Sequence, residues 1–472
     1  MEHAGKPARE HVIFHVDVNS AFLSWTAVDR LRRDPSALDL RTVPSVVGGD
    51  EETRHGIVTA KSIPAKQYGI RTADTVASAM SRCPGLIVVR GDFAVYRKYS
   101  RAFLDILRKY SGAVEQASID EAYVDMTGRE GQFASLAREI SGSAAACDAR
   151  FDGHAYETAF HPMEDDYPGK ADPASFPFPL NAAHLIKNEI RNTLGFTVNI
   201  GISSNKLLAK TASDFEKPDR VHTLWPEEIP KKFWPLPIGD LFGCGRSTER
   251  RLQTMGIHTI GDAAHTDENV LRASLGEKSG TYIRNAANGI GPVSVRSTPE
   301  DAKGYSNETT MPRDITRHSF EKEAPDIVKE LSEHVSRRLV RDGVLASTIG
   351  VMVKTGGFHR HSRQMQLGQS TNRANDIYFA AMKLLKGLAY ELFEKNENLR
   401  LIGVSATKLD TGQYRQMSLK EYARQAEQEK KLRAEREREA ERQSKLDAMM
   451  RKIRGEFGEE AVMTGADFRK HE

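Results

Sequence analysis

The sequence predicts an α+β fold built on an antiparallel sheet, and three observations lead there. Short β-type runs mix with helical periodicity in an irregular order, without the steady strand–helix alternation of a parallel sheet. Two of the runs, residues 12–18 and 117–126, read as buried strands, yet they carry carboxylates: Asp17 in the first, Asp120 and Glu121 in the second. The chain of 472 residues has room for about three domains, so this sheet is one part of a larger molecule.

Taken in order, residues 12–22 read as a strand followed by a helix. Strands are expected at 42–47 and 56–60, separated by the turn-rich Gly48-Gly49-Asp50. Helical patterns follow at 75–83 and at 96–110, where apolar residues recur at helical spacing. Strands at 116–126 and 197–202 bracket a long helix ending near Asn192. Residues 141–181, rich in Asp, Pro, Gly and aromatics and containing His154, His161, Glu164, Asp165 and Asp166, read as a surface insertion. Metal binding there is one alternative, but loops collect such residues without it. Residues 226–294 are helical with glycine breaks. Residues 307–407 carry two strand–helix alternations, with strands near 347–354, 362–367 and 399–408. The stretch 421–455 is dominated by Glu, Lys, Arg, Ala and Gln and reads as a long exposed helix or a disordered tail.

Bulk composition narrows the function classes. With 39% hydrophobic residues, 28% charged and a net charge of +3, the chain is no polycation, so a nucleic-acid surface needs local clusters of Lys and Arg. Residues 1–11 lack the apolar core of a signal peptide, and no run approaches the ~20 apolar residues of a membrane span. Cys83, Cys147 and Cys244 lack zinc-site spacing and fit ordinary thiols in a reducing cytoplasm. The expectation is a cytoplasmic monomer.

Carboxylates inside apolar strands are costly unless hydrogen-bonded or bound to a cation. Three converging near one strand edge suit hard, oxygen-loving cations such as Mg²⁺, which leave positions open for phosphates. Taken alone, an Asp-Glu dipeptide reads as a solvated edge or turn; the neighbouring motifs change that balance. Residues 201–210 start a helix after a strand, with Ser and Asn available to cap it. Its two lysines, Lys206 and Lys210, read alone as solvated. Residues 54–73 supply Arg54, Lys61, Lys66 and Arg71, a basic stretch suited to a triphosphate held opposite the metals.

Together these motifs resemble the Y-family DNA polymerases of the polymerase IV type. His15-Val16-Asp17-Val18-Asn19-Ser20-Ala21-Phe22 resembles the family's opening motif, and Ile63-Pro64-Ala65-Lys66-Gln67-Tyr68-Gly69-Ile70-Arg71 its fingers motif. Cys83-Pro84, Tyr96-Arg97-Lys98-Tyr99-Ser100, Ser118-Ile119-Asp120-Glu121-Ala122-Tyr123 and Asn205-Lys206-Leu207-Leu208-Ala209-Lys210 follow in the family's order, over about residues 11–410. The resemblance implies a right-hand polymerase with a palm (11–19 and 83–225), fingers (20–82), a helical thumb (226–294), an α/β little finger (307–411) and a charged helical tail (412–472). It implies that Asp17, Asp120, Glu121 and the Val18 carbonyl bind two Mg²⁺ ions. Phe22 is implied as the ring that excludes a ribose 2′-hydroxyl, and Ile63, Lys66 and Lys217 as contacts to the incoming deoxynucleoside triphosphate. Val47, Ile57 and Thr59 would roof the nascent base pair.

Two fingers positions depart from the family, which usually has Tyr and Arg where Ile63 and Lys66 stand. Lys66 keeps the charge without the forked grip of a guanidinium. Either nucleotide affinity is weaker or Lys61 compensates. Asn19 stands where a second Asp is frequent. Residues 241–256 resemble a helix-hairpin-helix whose Gly243 and Gly245 let backbone N–H groups approach a DNA phosphate, the alternative being a simple helical turn. Lys354, Arg360 and Arg363, in an acid-free stretch, would follow duplex phosphates or else be solvated strand residues. Gln416-Met417-Ser418-Leu419 resembles a degenerate sliding-clamp-binding peptide. Leu446, Met449, Met450, Ile453 and Phe457 form an apolar stripe expected to pack on the protein itself or on a partner helix. The function implied is low-fidelity, template-directed translesion DNA synthesis on primer–template DNA. The alternatives are a catalytically weak DNA-bound scaffold and a nucleotidyl cyclase, which would have no use for a helix-hairpin-helix.

Overall fold

The computed structural model describes residues 11–49, 56–129, 178–298, 300–411 and 419–458. The expected insertion at 141–181 and the clamp-like peptide at Gln416 lie almost wholly outside these residues. The chain divides into two compact units, the first running to Asp301 and taking in Thr310–Arg313, the second comprising Ala302–Thr309 and the chain from Asp314 onward.

In the first unit, strand β1 (Ile13–Val18) leads into helix α1 (Ala21–Arg33), followed by β2 (Ser45–Gly48), β3 (Val58–Lys61), α2 (Ile63–Gln67), α3 (Val76–Arg82), β4 (Ile87–Arg90) and α4 (Phe93–Tyr110). Then come β5 (Val114–Gln116), β6 (Glu121–Asp125), α5 (Leu180–Leu194), β7 (Val198–Ser203), α6 (Lys206–Asp214) and β8 (Val221–Thr223). Helices α7 (Arg246–Gln253), α8 (Ile260–His265), α9 (Glu268–Leu275) and α10 (Glu277–Ala287) complete it.

The central sheet has the order β5-β6-β1-β7-β8. β1 lies antiparallel between β6 and β7, and only the β7–β8 pair is parallel. β1 is buried on both faces, which explains a strand of almost continuous apolar character. Phe14, Val16 and Val18 pack into a core shared with Tyr96, Tyr99, Phe103 and Leu107 of α4 and Ile186 and Ile190 of α5. The alternate residues Ile13, His15 and Asp17 take the other face, and α6 lies against β1 and β7. Gly201 permits that contact: a Cβ there would lie 2.0 Å from the Ala209 carbonyl oxygen and 2.3 Å from the Ser213 nitrogen.

A second sheet, β3-β2-β4, carries α2 and α3. Ser62 and Thr75 cap these helices, accepting from the Ala65 and Ser78 N–H groups at 3.1 Å. Strands β4 and β8 are short and lay outside the sequence expectation. The expected strand at 116–126 is instead a hairpin: β5 stops at Gln116, β6 starts at Glu121, and Asp120 sits in the connecting turn. Ser118 makes that turn. Its Oγ accepts the Asp120 and Glu121 N–H groups at 3.2 and 3.0 Å and donates to Asp120 Oδ1 at 2.6 Å.

The second unit contains β9 (Gly304–Ile315), α11 (Phe320–Arg341), β10 (Leu345–Thr355), β11 (Arg360–Thr371), α12 (Ala374–Phe393), β12 (Leu399–Asp410) and α13 (Leu419–Phe457). Its sheet has the order β11-β10-β12-β9, with β10 antiparallel to both neighbours. β9 escaped the sequence reading because it shows no apolar alternation; it is an edge strand, where Pro312 is tolerated. In α13, Leu446 and Met449 are exposed, so self-packing of the apolar stripe is not seen at these two residues. Ion pairs one turn apart, such as Lys431–Glu427 at 3.3 Å and Lys445–Glu441 at 2.8 Å, run along its surface.

Candidate active site

The register of the central sheet assembles the carboxylates. Asp17 stands directly opposite Glu121 on β6 and opposite Asn199 on β7. Directly opposed residues share a face of the sheet. Asp120 is joined to the same strand end, because its carbonyl accepts the Val18 N–H at 3.1 Å. Asp17, Val18, Asp120 and Glu121 therefore meet where β1 gives way to α1.

Basic side chains from and just beyond α6 close over this face. Lys210 Nζ bonds Glu121 Oε1 at 2.8 Å, and Lys217 pairs with Asp17 and, at 2.7 Å, with Asp214. Lys206 pairs with Glu115 at 2.6 Å and lies over the Tyr123 ring. The two helix lysines are thus engaged side chains, not the solvated pair their sequence alone suggests. Burial raises the Asp17 pKa above the ordinary carboxylate value despite Lys217 beside it. Burial works against the charged form of Lys217, but Asp17 and Asp214 outweigh it and raise its pKa. Glu121 is held down to about 2, chiefly by the His15 imidazole beside it and, against burial, by Lys210.

His15 is a site residue the sequence reading missed. It is buried two places before Asp17 on the same face, with Nε2 3.8 Å from Glu121 Oε2. Ser213 Oγ donates to the Lys210 carbonyl at 2.7 Å and so accepts from His15 Nδ1, also at 2.7 Å. The period-two spacing of His15 and Asp17 was the available signal.

The donor set is all oxygen: three carboxylates and the Val18 carbonyl, the chemistry hard divalent cations prefer. Among the described residues, no three His, Cys, Asp or Glu side chains already form a metal-ligating group. Asp17 and Glu121 are held by the two lysines. The residues fit Mg²⁺ by ligand type and charge.

Phe22, in the first turn of α1, is half-buried and stacked on Tyr96, with ring centroids 4.5 Å apart and planes inclined by 20°. Phe93 meets it edge-on at 6.0 Å. Ser20, in the left-handed region at φ 46°, turns the chain from β1 into α1, whose first turn carries Phe22. Ile63 and Lys66 lie one turn apart on the exposed side of α2. Lys61 has its pKa lowered, first by burial and then by Lys66, and reaches Thr72 Oγ1 at 3.4 Å. Ile57 and Thr59 are exposed, whereas Val47 is buried against Leu23, Ala27 and Leu40. Val47 belongs to this core, a correction to its expected place in a roof.

The glycine hairpin precedes α7. Gly243 has φ 87° and packs so closely on Tyr282 that a Cβ would lie 2.7 Å from its ring. Tyr282 donates to the Phe242 carbonyl at 2.7 Å, fixing the hairpin. Gly245 is the N-cap of α7. The element before the hairpin is only a 3₁₀ turn, Ile238–Asp240.

In the second unit, Lys354 and Arg360 are directly opposed across β10 and β11 and share a face. Arg363 stands opposite Val351, on the other face, where it bonds Glu391 of α12 at 2.9 Å. Three residues along a strand is an odd step, so Arg360 and Arg363 point oppositely.

Residues 16–214 match the model of the impB/mucB/samB family, residues 302–419 that of its C-terminal domain, and residues 239–291 a model described as the DNA polymerase-iota thumb domain. The Y-family DNA polymerase chimera Dbh-Dpo4(243-245)-Dbh superposes with a TM-score of 0.64 at 21% identity, covering 84% of this chain and 98% of its own. The fold is therefore the right-handed Y-family polymerase fold. DNA polymerase IV of Clostridium acetobutylicum is 35% identical over 98% of this chain and 99% of its own length. DNA polymerase IV 1 of Bacillus subtilis is 31% identical over 99% and 95%. The chain belongs to the impB/mucB/samB family, in its DNA polymerase IV branch.

Among the described residues, no helix is long and apolar enough to cross a membrane.

Proposed function

We propose that this chain is a DNA-directed DNA polymerase that adds deoxynucleotides to a primer 3′ end, with low fidelity, during translesion synthesis. The observation that carries the reading is the register that sets Asp17 opposite Glu121, with Asp120 tied to Val18. Asp17, Asp120, Glu121 and the Val18 carbonyl would hold two Mg²⁺ ions. Such ions would supply activation of the primer hydroxyl and neutralisation of charge on the triphosphate. Lys217 and Lys210 already lie on two of the carboxylates. Lys217, already held beside Asp17, would serve the phosphates as a point charge. Phe22, clamped by Tyr96, presents a rigid ring to the sugar. Ile63 and Lys66 on α2 face the triphosphate with one cation between them. Gly243 and Gly245 offer backbone N–H groups to one DNA strand, and, within the second unit, Lys354 and Arg360 offer charge to duplex phosphates.

By this reading the first unit comprises palm, fingers and thumb, and the second the little finger and tail. The protein works as a cytoplasmic monomer on primer–template DNA, with the sequence around Gln416 a candidate clamp contact. Primer extension by the purified full chain tests the assignment. Template-matched addition that needs Mg²⁺, is stopped by a chelator and continues past an abasic site is the expected result. A chain that binds primer–template and adds nothing is a scaffold.

A further inference from the structure

Behind the carboxylates lies a pair of buried amides that the proposed chemistry does not use. Asn199 is fully buried on β7. Its Nδ2 donates to the Ser213 carbonyl at 3.0 Å and to the Glu216 carbonyl, and its Oδ1 accepts from the Arg220 N–H at 3.2 Å and from Asn19 Nδ2 at 3.0 Å. All four of its hydrogen-bonding positions are filled. The two carbonyls only accept and the Arg220 amide only donates, so Asn199 can point in one way, with its oxygen towards Asn19. Asn19 must therefore donate to that oxygen. Its own Oδ1 also accepts the Asp219 N–H at 2.9 Å. An amide meets both demands, and an ionised carboxylate does not. A carboxylate at position 19 would keep the Asp219 bond and turn an oxygen on the oxygen of Asn199.

The backbone bonds made by this pair bracket Lys217, at Glu216 before it and at Asp219 and Arg220 after it. We infer that Asn19 and Asn199 are positioning residues that hold the Lys217 segment over Asp17, and that they thereby set the affinity for the incoming triphosphate. The inference rests on the reading of Lys217 as a triphosphate contact. It also gives Asn19 a reason: here an amide, and not an acid, completes the network.

The isosteric Asn19→Asp variant tests it. The segment keeps other anchors, among them Lys187 Nζ to the Asp219 carbonyl at 3.1 Å, so displacement and not unfolding is expected. Circular dichroism checks that the variant is folded. Acylation of lysines by a small amine reagent, read by peptide mass spectrometry, should then be several-fold faster at Lys217 and unchanged at Lys206. The Michaelis constant for the nucleotide should rise about tenfold, the equivalent of one lost buried hydrogen bond, with kcat within about threefold. Lys217→Ala alone should raise the constant similarly, and adding Asn19→Asp to it should cost little more. Unchanged acylation of Lys217 in folded Asn19→Asp overturns the positioning role. An unchanged Michaelis constant in Asn19→Asp, while Lys217→Ala raises it, overturns the link to nucleotide affinity. If Lys217→Ala leaves the constant unchanged, the triphosphate reading of Lys217 fails, and acylation alone decides whether the pair positions the segment.

Discussion

Replacing Gly201 by alanine tests whether the seating of α6 on the sheet controls the chemistry. The added methyl would meet the Ala209 carbonyl oxygen at 2.0 Å and the Ser213 nitrogen at 2.3 Å, against an ordinary contact distance of at least 3.4 Å. Both atoms are backbone, so no side chain can swing aside, and α6 must move outward by about 1 Å or more. The same helix carries Lys210, which bonds Glu121, and leads into Lys217, which pairs with Asp17. Overpacking of this kind typically costs ~1–3 kcal/mol of stability. A misplacement of ~1 Å can cost ~10²-fold in rate. Thermal unfolding followed by circular dichroism gives the first quantity. Single-nucleotide primer extension, well below the lowered Tm, gives the second. A Gly201→Ala protein with the wild-type Tm and wild-type kcat/KM would refute the claim that close approach of α6 builds the site.

Phe22→Ala should raise the ratio of ribonucleotide to deoxyribonucleotide incorporation by about tenfold or more, ~1.4 kcal/mol of discrimination, in competition primer extension; an unchanged ratio would make Phe22 a core residue only. Lys354→Ala and Arg360→Ala should each reduce the log–log salt dependence of DNA binding by about 0.9, while Arg363→Ala, on the other face, should leave it alone. Burial holds His184 down to about 4, against 6.5 ordinarily, so the unfolded chain takes up its proton first as the pH falls and stability is lost between those values. His184→Gln should flatten the stability profile between pH 7 and pH 5 by ~1–2 kcal/mol, measured by urea unfolding.

Much of the site was legible because its chemistry conflicts with its surroundings. Asp17 inside an apolar strand announces a cation or a buried partner, and Ser118-Ile119-Asp120-Glu121 lies next to a second such strand. What pairing adds was not legible. Asp17 meets Asn199 only through a register 182 residues apart in sequence, 199 less 17, and nothing local marks Asn199 or Gly201 as special. The hairpin between β5 and β6 was hidden because Ser118 makes the turn with its side chain, without a Gly or Pro to signal it. β9 was missed because an edge strand needs no apolar alternation. The opposite facing of Arg360 and Arg363, by contrast, was open to simple counting along a strand.

The central claim is that Asp17, Asp120 and Glu121 act together at one cation-dependent nucleotidyl-transfer site. Single-turnover nucleotide addition at saturating primer–template, with the Mg²⁺ concentration varied, measures it directly for the wild type and each alanine variant. Loss of any one carboxylate should slow addition by at least ~10³-fold while leaving the dissociation constant for DNA within about threefold, because each supports charge in the transition state and none grips the duplex. An Asp120→Ala protein that adds nucleotides at close to the wild-type rate, with the same Mg²⁺ dependence, would contradict the account.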